Sequence, residues 1–170
     1  MFQPGGPVPD RSASGIAPHR TGPLILVVDD DQPDRVAATR MVRGLGYPAR
    51  SFRQGRDALQ FVERHPQVAR GLIADLGMPL MDGGELVERV LDADPTMRAA
   101  LMVDRRDPRA AELLEGYRDV RTLVKPLRFA EVYGVLTALV GPPQGAAAPA
   151  SITAASPWSR RRTSGQFPDR

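Results

Sequence analysis

Residues 24–31 read LILVVDDD: five apolar side chains, Leu24 to Val28, closed by three carboxylates, Asp29, Asp30 and Asp31. Five residues are too few for a stable helix. The run also lacks the alternation of a half-exposed strand, so it predicts a strand buried on both faces, as in a parallel sheet. The same kind of run recurs along the chain. Ala49–Phe52, Gly71–Ala74, Ala99–Val103 and Val120–Val124 are further strand candidates. Between and after them lie longer amphipathic stretches, Gln32–Leu45, Gly55–His65, Gly83–Ala93, Asp107–Gly116 and Phe129–Val140. In the first of these Val36, Ala37, Met41, Val42 and Leu45 recur near helical spacing. In the last, Phe129, Val132, Val135, Leu136 and Leu139 do the same. Five strand-then-helix units predict an α/β fold in which right-handed crossovers put helices on both faces of a parallel sheet.

Outside residues 23–140 the composition changes. Residues 1–22 are rich in Gly, Pro and Ser, and residues 141–170 in Pro, Ala and Ser, with too little apolar patterning to offset chain entropy; both are expected to be disordered. The length suits one hydrophobic core rather than two domains of usual size. The basic pI of about 9.9 suggests a nucleic-acid binder until the charge is divided. Residues 23–140 carry 17 cations and 18 acids, whereas residues 141–170 carry four Arg and one Asp. The basicity is thus a property of the tail. There Trp158 and Arg160, Arg161 and Arg162 are available to nucleic acid, an acidic partner or anionic lipid, although a short solvated basic tail is the commoner case. The chain has no Cys, which excludes disulfides and thiolate chemistry. It shows no signal-peptide pattern and no apolar run near the ~20 residues that span a bilayer, so a cytoplasmic location is expected. His19 and His65 have no catalytic or metal-binding spacing, and there is no Walker loop or G-x-G-x-x-G.

In a parallel α/β sheet, ligands bind outside the carboxyl ends of the strands. Asp29, Asp30 and Asp31 follow the first strand candidate, Asp75 the third, Asp104 the fourth and Lys125 the fifth. Four strand ends therefore converge on charged residues. Asp31 and Asp34 read equally well as solvated loop acids; Asp30 and Asp75 do not. Lys125 is the only lysine among 23 cationic residues. A compact ammonium suits contact with a small anion better than a planar guanidinium does, and the single Lys stands where the strand ends meet.

Three segments in this order, ILVVDDD (25–31), DLGMPLMDG (75–83) and VKP (124–126), closely resemble receiver domains of the CheY type over about residues 23–140. The resemblance implies a flavodoxin-like three-layer sandwich with strand order 2-1-3-4-5. It further implies that Asp75 is the phosphoacceptor, phosphorylated by a histidine kinase or phosphotransfer protein, or by a small phosphodonor. Asp30 and Asp75 would hold Mg²⁺ (or Mn²⁺) together with the carbonyl of Gly77, Asp29 would act through metal-bound water, and Lys125 would pair with the phosphoryl oxygens. Hard oxygen ligands of this kind suit Mg²⁺. Met78-Pro79 would stiffen the loop, and Asp82-Gly83 would start the third helix, with Gly allowing a turn that other residues resist.

Three positions depart from the family pattern. Asp104 stands where a Thr or Ser hydroxyl is usual, Arg105 follows where a small residue is usual, and Thr122 occupies the aromatic switch position, with Tyr117 in the preceding loop as a substitute ring. These departures support an alternative, a pseudo-receiver that signals by binding without a phosphorylation cycle. A remote alternative is a phosphohydrolase of the haloacid dehalogenase type, from Asp29-x-Asp31 after a strand. No turnover enzyme and no DNA-binding domain of the chain's own are expected. Output would pass to an unknown protein target, and two copies could pair through the fourth and fifth elements.

Overall fold

The computed structural model describes residues 22–107 and 120–143. The expected terminal extensions, Tyr117 and all but the first residue of the expected helix Asp107–Gly116 lie outside the described residues. Five parallel strands, β1 (Leu24–Val28), β2 (Ala49–Phe52), β3 (Ala69–Asp75), β4 (Arg98–Asp104) and β5 (Arg121–Lys125), form one sheet in the order β2-β1-β3-β4-β5. Four helices are described: α1 (Gln32–Gly44), α2 (Gly55–Arg64), α3 (Gly83–Ala93) and α4 (Phe129–Val140).

The unbroken apolar run of β1 has its cause in two cores. Leu26 and Val28 join a cluster with Leu59, Val62, Leu86, Val87 and Val90 of α2 and α3, while Ile25 and Val27 join Val42 of α1 and Val132 and Leu136 of α4. Successive side chains point to opposite faces, so a strand covered on both sides needs apolar residues throughout. Tyr47, fully buried at the end of the α1–β2 connection, donates its hydroxyl hydrogen to the carbonyl of Gly141 at 2.8 Å and so ties the end of α4 to the α1 layer.

Three strand bounds differ from expectation. β3 and β4 extend at both ends, to Ala69–Asp75 and Arg98–Asp104, and β5 runs one residue later, Arg121–Lys125. Polar Arg70 and Arg98 mask the starts of β3 and β4 in an apolar count; Arg98 pairs opposite Gly71, Arg70 falls where the β1–β3 register shifts between Ala69 and Gly71, and the β5 ladder begins at Arg121, opposite Ala100, rather than at Val120. In consequence Asp75, Asp104 and Lys125 are the last residues of their strands rather than the first of the following loops. The strand order reverses direction between β1 and β3, which places the crevice between Asp29 and Asp75. No helix among the described residues is long and apolar enough to cross a membrane.

Candidate functional site

Asp31 caps α1, its Oδ1 accepting from the Asp34 amide at 3.0 Å, with Pro33 in the first turn where an unpaired N–H is no loss. That cap turns the chain sharply after β1 and leaves Asp29 and Asp30 at the sheet's end. Asp29 is completely buried. Its Oδ1 accepts from the Asp31 amide at 2.9 Å and its Oδ2 from Lys125 Nζ at 2.9 Å. Arg35, one turn into α1, donates Nη1 back to the carbonyls of Asp29 at 2.7 Å and Asp30 at 3.2 Å, fixing the loop. Asp30 itself is exposed.

Asp75 is held by both carboxylate oxygens. Oδ2 accepts from the Gly77 amide at 2.9 Å, and Oδ1 lies 2.6 Å from Lys125 Nζ. The loop then returns to α3 through buried Met78, the half-buried Met81 and the cap of Asp82, which accepts from the Glu85 amide at 2.8 Å. Leu80 at its tip has φ 70 and is fully exposed. Gly83 has a negative φ, so the glycine is not needed for a left-handed turn. It is needed because a Cβ there would overlap the Asp75 carbonyl.

Lys125 reaches this crevice from the end of β5 and meets three carboxylates, Asp75 at 2.6 Å, Asp29 at 2.9 Å and Asp34 at 3.0 Å. Burial works against its charge, but the bonds from Asp75, Asp29 and Asp34 more than offset that and push its pKa above the usual lysine value. Burial raises the pKa of Asp29; the bond and charge of Lys125 lower it again, and the neighbouring charge of Asp75 raises it. One oxygen each from Asp29, Asp30 and Asp75 lie within 4.8 Å of one another. Two oxygens sharing one Mg²⁺ at about 2.1 Å each stand no more than ~4.2 Å apart. The set is thus of the right chemical kind and gathered on the scale of one such ion's coordination.

The remaining sequence-derived positions fall differently. Gly77 is exposed beside Asp75, its amide on Asp75 Oδ2. Asp104 is not part of the acidic cluster: it is exposed, and its Oδ1 accepts from the Arg106 amide at 2.8 Å, capping its own turn. Arg105 is exposed in that turn, and Thr122 is half-buried on β5 opposite Leu101. Asp31, one half of the Asp29-x-Asp31 pair that suggested a dehalogenase-type phosphohydrolase, is spent on capping α1. The sequence does not assign two residues to the site, Asp34, which reads as a loop acid, and Asp107, which reads as a helix start. Asp34 meets Lys125 because the first turn of α1 brings it back over the strand ends. Asp107 places its Oδ2 3.9 Å from where a Cβ on Gly77 would stand. The cue for Asp34 was an acid one turn beyond an acidic strand end; Asp107 had none, being indistinguishable from a helix-start acid.

The sequence profile of the response regulator receiver domain matches residues 25–137. The transcriptional regulatory protein PrrA of Mycobacterium tuberculosis is 32% identical over 123 residues, which is 71% of this chain and 51% of PrrA. The chain therefore spans about half the length of that relative. The response regulator receiver protein CpdR of Brucella abortus is 30% identical over 112 residues, covering 61% of this chain and 92% of CpdR. Among solved structures, the chemotaxis protein CheY4 of Vibrio cholerae superposes with a TM-score of 0.60 at 21% identity over 70% of this chain and 99% of CheY4, a likeness of fold. The matched span holds β1 through most of α4 and with them Asp29, Asp30, Asp75 and Lys125, and on that ground the chain belongs to the family of response regulator receiver domains that serve two-component systems.

Proposed function

We propose that this domain accepts a phosphoryl group on Asp75 and signals through a change in partner binding. The observation that carries the proposal is the pair of contacts on Asp75: Oδ2 fixed by the Gly77 amide and Oδ1 facing the Lys125 ammonium at 2.6 Å. An oxygen nucleophile held in one orientation beside a cation is what phosphoryl transfer needs, since that reaction depends on positioning and charge neutralisation more than on acid–base chemistry. An electron pair on Oδ1 attacks phosphorus. The P–N bond of a kinase phosphohistidine, or the P–O bond of a small acyl phosphate, breaks with its electron pair going to the departing group, and the imidazole takes a proton from solvent. Lys125 then faces the new phosphoryl oxygens. Asp30, Asp75 and the carbonyl of Gly77 would hold Mg²⁺ or Mn²⁺, with Asp29 acting through a water; the ion supplies charge neutralisation at the phosphoryl oxygens. The acceptor is modified once per cycle, so the domain is not a turnover enzyme. A cytoplasmic histidine kinase or phosphotransfer protein is the matching donor.

A specific observation favours the second reading, a pseudo-receiver: no hydroxyl stands at the end of β4, and Asp104 there is turned to its own loop. Acetyl phosphate labelling separates the two. With Mg²⁺ the protein should gain one phosphoryl group by intact mass, Asp75→Ala should gain none, and Asp30→Ala should lose both labelling and Mg²⁺ binding. Equal labelling in excess chelator, or equal labelling of Asp75→Ala, removes the assignment.

A further inference from the structure

An ammonium has three N–H bonds, and three carboxylates, those of Asp29, Asp34 and Asp75, already stand within 3.0 Å of Lys125 Nζ. The three partners are not alike. Asp29 is buried and has Lys125 as its counter-ion, and Asp75 is the proposed acceptor. Asp34 lies outside the acidic cluster, on the first turn of α1, with its side chain about half exposed. Its backbone N–H is taken by the Asp31 cap, so the carboxylate is not needed to start the helix. No more than the sum of its 3.0 Å contact with Nζ and the 2.6 Å contact from Nζ to Asp75, about 5.6 Å, separates Asp34 Oδ2 from Asp75 Oδ1.

A phosphoryl group on Asp75 brings new oxygens to Lys125, and no fourth N–H exists to meet them. One of the resting partners has to yield. Asp34 yields at least cost, because water replaces a lost ion pair cheaply at an exposed carboxylate and poorly at a buried one. We propose that Asp34 is a positioning residue that restrains activation: it holds the ammonium of Lys125 at rest, competes with the phosphoryl group for it, and opposes the negative charge gathering on Asp75. This inference rests on the reading of Asp75 as phosphoacceptor and adds a control on that site. A purely structural role for Asp34 predicts the opposite sign, since loosening α1 or Lys125 would weaken phosphoryl binding.

The test uses the full chain at saturating Mg²⁺, titrated with beryllofluoride and read by the amide resonance of Gly77, in wild type, Asp34→Asn and Asp34→Glu. Removing one unit charge at about 5.6 Å tightens binding about threefold if the medium behaves as bulk water and about a hundredfold at the lower effective dielectric constant of a protein surface. Asp34→Asn should therefore half-saturate at a beryllofluoride concentration at least threefold lower, and Asp34→Glu, which restores the charge, should return toward wild type. An unchanged or weaker Asp34→Asn overturns the competition while leaving the acceptor reading intact. A wild type that shows no response to beryllofluoride with Mg²⁺ overturns both.

Discussion

Gly83, the first residue of α3, packs so closely on Asp75 that a methyl group there would overlap the Asp75 carbonyl oxygen and stand 3.0 Å from Leu76 Cα. The obstacle is backbone, which cannot swing aside as a side chain would. The same residue donates its N–H to the Leu76 carbonyl at 3.2 Å, so helix and acceptor strand meet at one point. Gly83→Ala should cost about 1–3 kcal/mol, as overpacking of a tight site does. For a domain of this size that is roughly 5–15 °C in thermal midpoint. Because the shift falls on the Asp75 backbone, phosphoryl acceptance should fall as well. Calorimetry with acetyl phosphate labelling of the same sample checks both, and a variant with an unchanged midpoint would mean that α3 is free to move away.

Lys125→Met should destabilise the resting domain, because the ammonium serves anions that are already present. Expecting its partner to arrive only with the phosphoryl group overlooks Asp29, Asp34 and Asp75, all within 3.0 Å. Without Lys125, the buried Asp29 loses the bond and charge that favour its ionised form and is pushed further toward protonation. The midpoint deficit should be greatest near neutral pH and shrink as pH falls and Asp29 protonates. Mg²⁺ should restore more stability to the variant than it adds to wild type. Thermal melts across pH, with and without Mg²⁺, measure this; a deficit that is independent of pH would assign Lys125 to packing.

Much of this arrangement is legible in the residues because strands buried on two faces leave little choice of composition. LILVV marks β1 to the residue and Asp82 marks the start of α3 as a cap, whereas Asp31, which caps α1, reads in the sequence no differently from a solvated loop acid. Strand order is different in kind: nothing in the apolar pattern distinguishes 2-1-3-4-5 from other orders, and it was available only through the family resemblance. The site was legible as a set of strand ends, for a parallel sheet gathers carboxyl ends on one side. Side-chain direction was not. Asp104 and Asp34 carry the same group, yet one turns to its own loop amide and the other turns to Lys125, a choice made by local hydrogen bonds and helix phase that no spacing encodes.

Asp94 should set part of the acid stability. It is buried after α3, with Oδ1 accepting from Thr96 Oγ1 at 2.6 Å and the Thr96 amide at 3.0 Å, and Oδ2 from the Gln67 amide at 2.8 Å. The Thr96 hydroxyl first, then the Gln67 amide, hold its pKa below the ordinary 3.8. A carboxylate depressed in the folded state stabilises the fold above its unfolded pKa and loses that contribution as pH falls through the window below it. Asp94→Asn should therefore melt lower than wild type at pH 7, with the gap closing below about pH 4. A gap that persists unchanged in acid would show that the bonds at this corner do not depend on charge.

Asp104→Thr should raise the phosphorylated fraction, but modestly. Were the carboxylate aimed at the phosphoryl group from ~4 Å, its repulsion would be roughly 4 kcal/mol at an effective dielectric constant near 20. It is aimed elsewhere, since Oδ1 takes the Arg106 amide at 2.8 Å and the Asp104 carbonyl takes the Asp107 amide at 3.0 Å, closing a turn that faces solvent. The backbone position is nonetheless the right one, for Asp104 is the lateral neighbour of Lys125 in the β4–β5 ladder. A threonine there can donate its hydroxyl to a phosphoryl oxygen, a gain of about 1 kcal/mol, or roughly fivefold in the ratio of phosphorylated to unmodified protein. The same hydroxyl can instead accept the Arg106 amide as the carboxylate does, which would cancel the gain. Arg105→Ala in the native background should change the ratio less than about twofold, because a carboxylate satisfied by its own turn needs no compensating cation. Both variants are measured with one phosphodonor at matched Mg²⁺. A rise of a hundredfold or more in Asp104→Thr would place the native carboxylate against the phosphoryl group after all, and no rise would mean that a hydroxyl at this strand end does not reach the phosphoryl group.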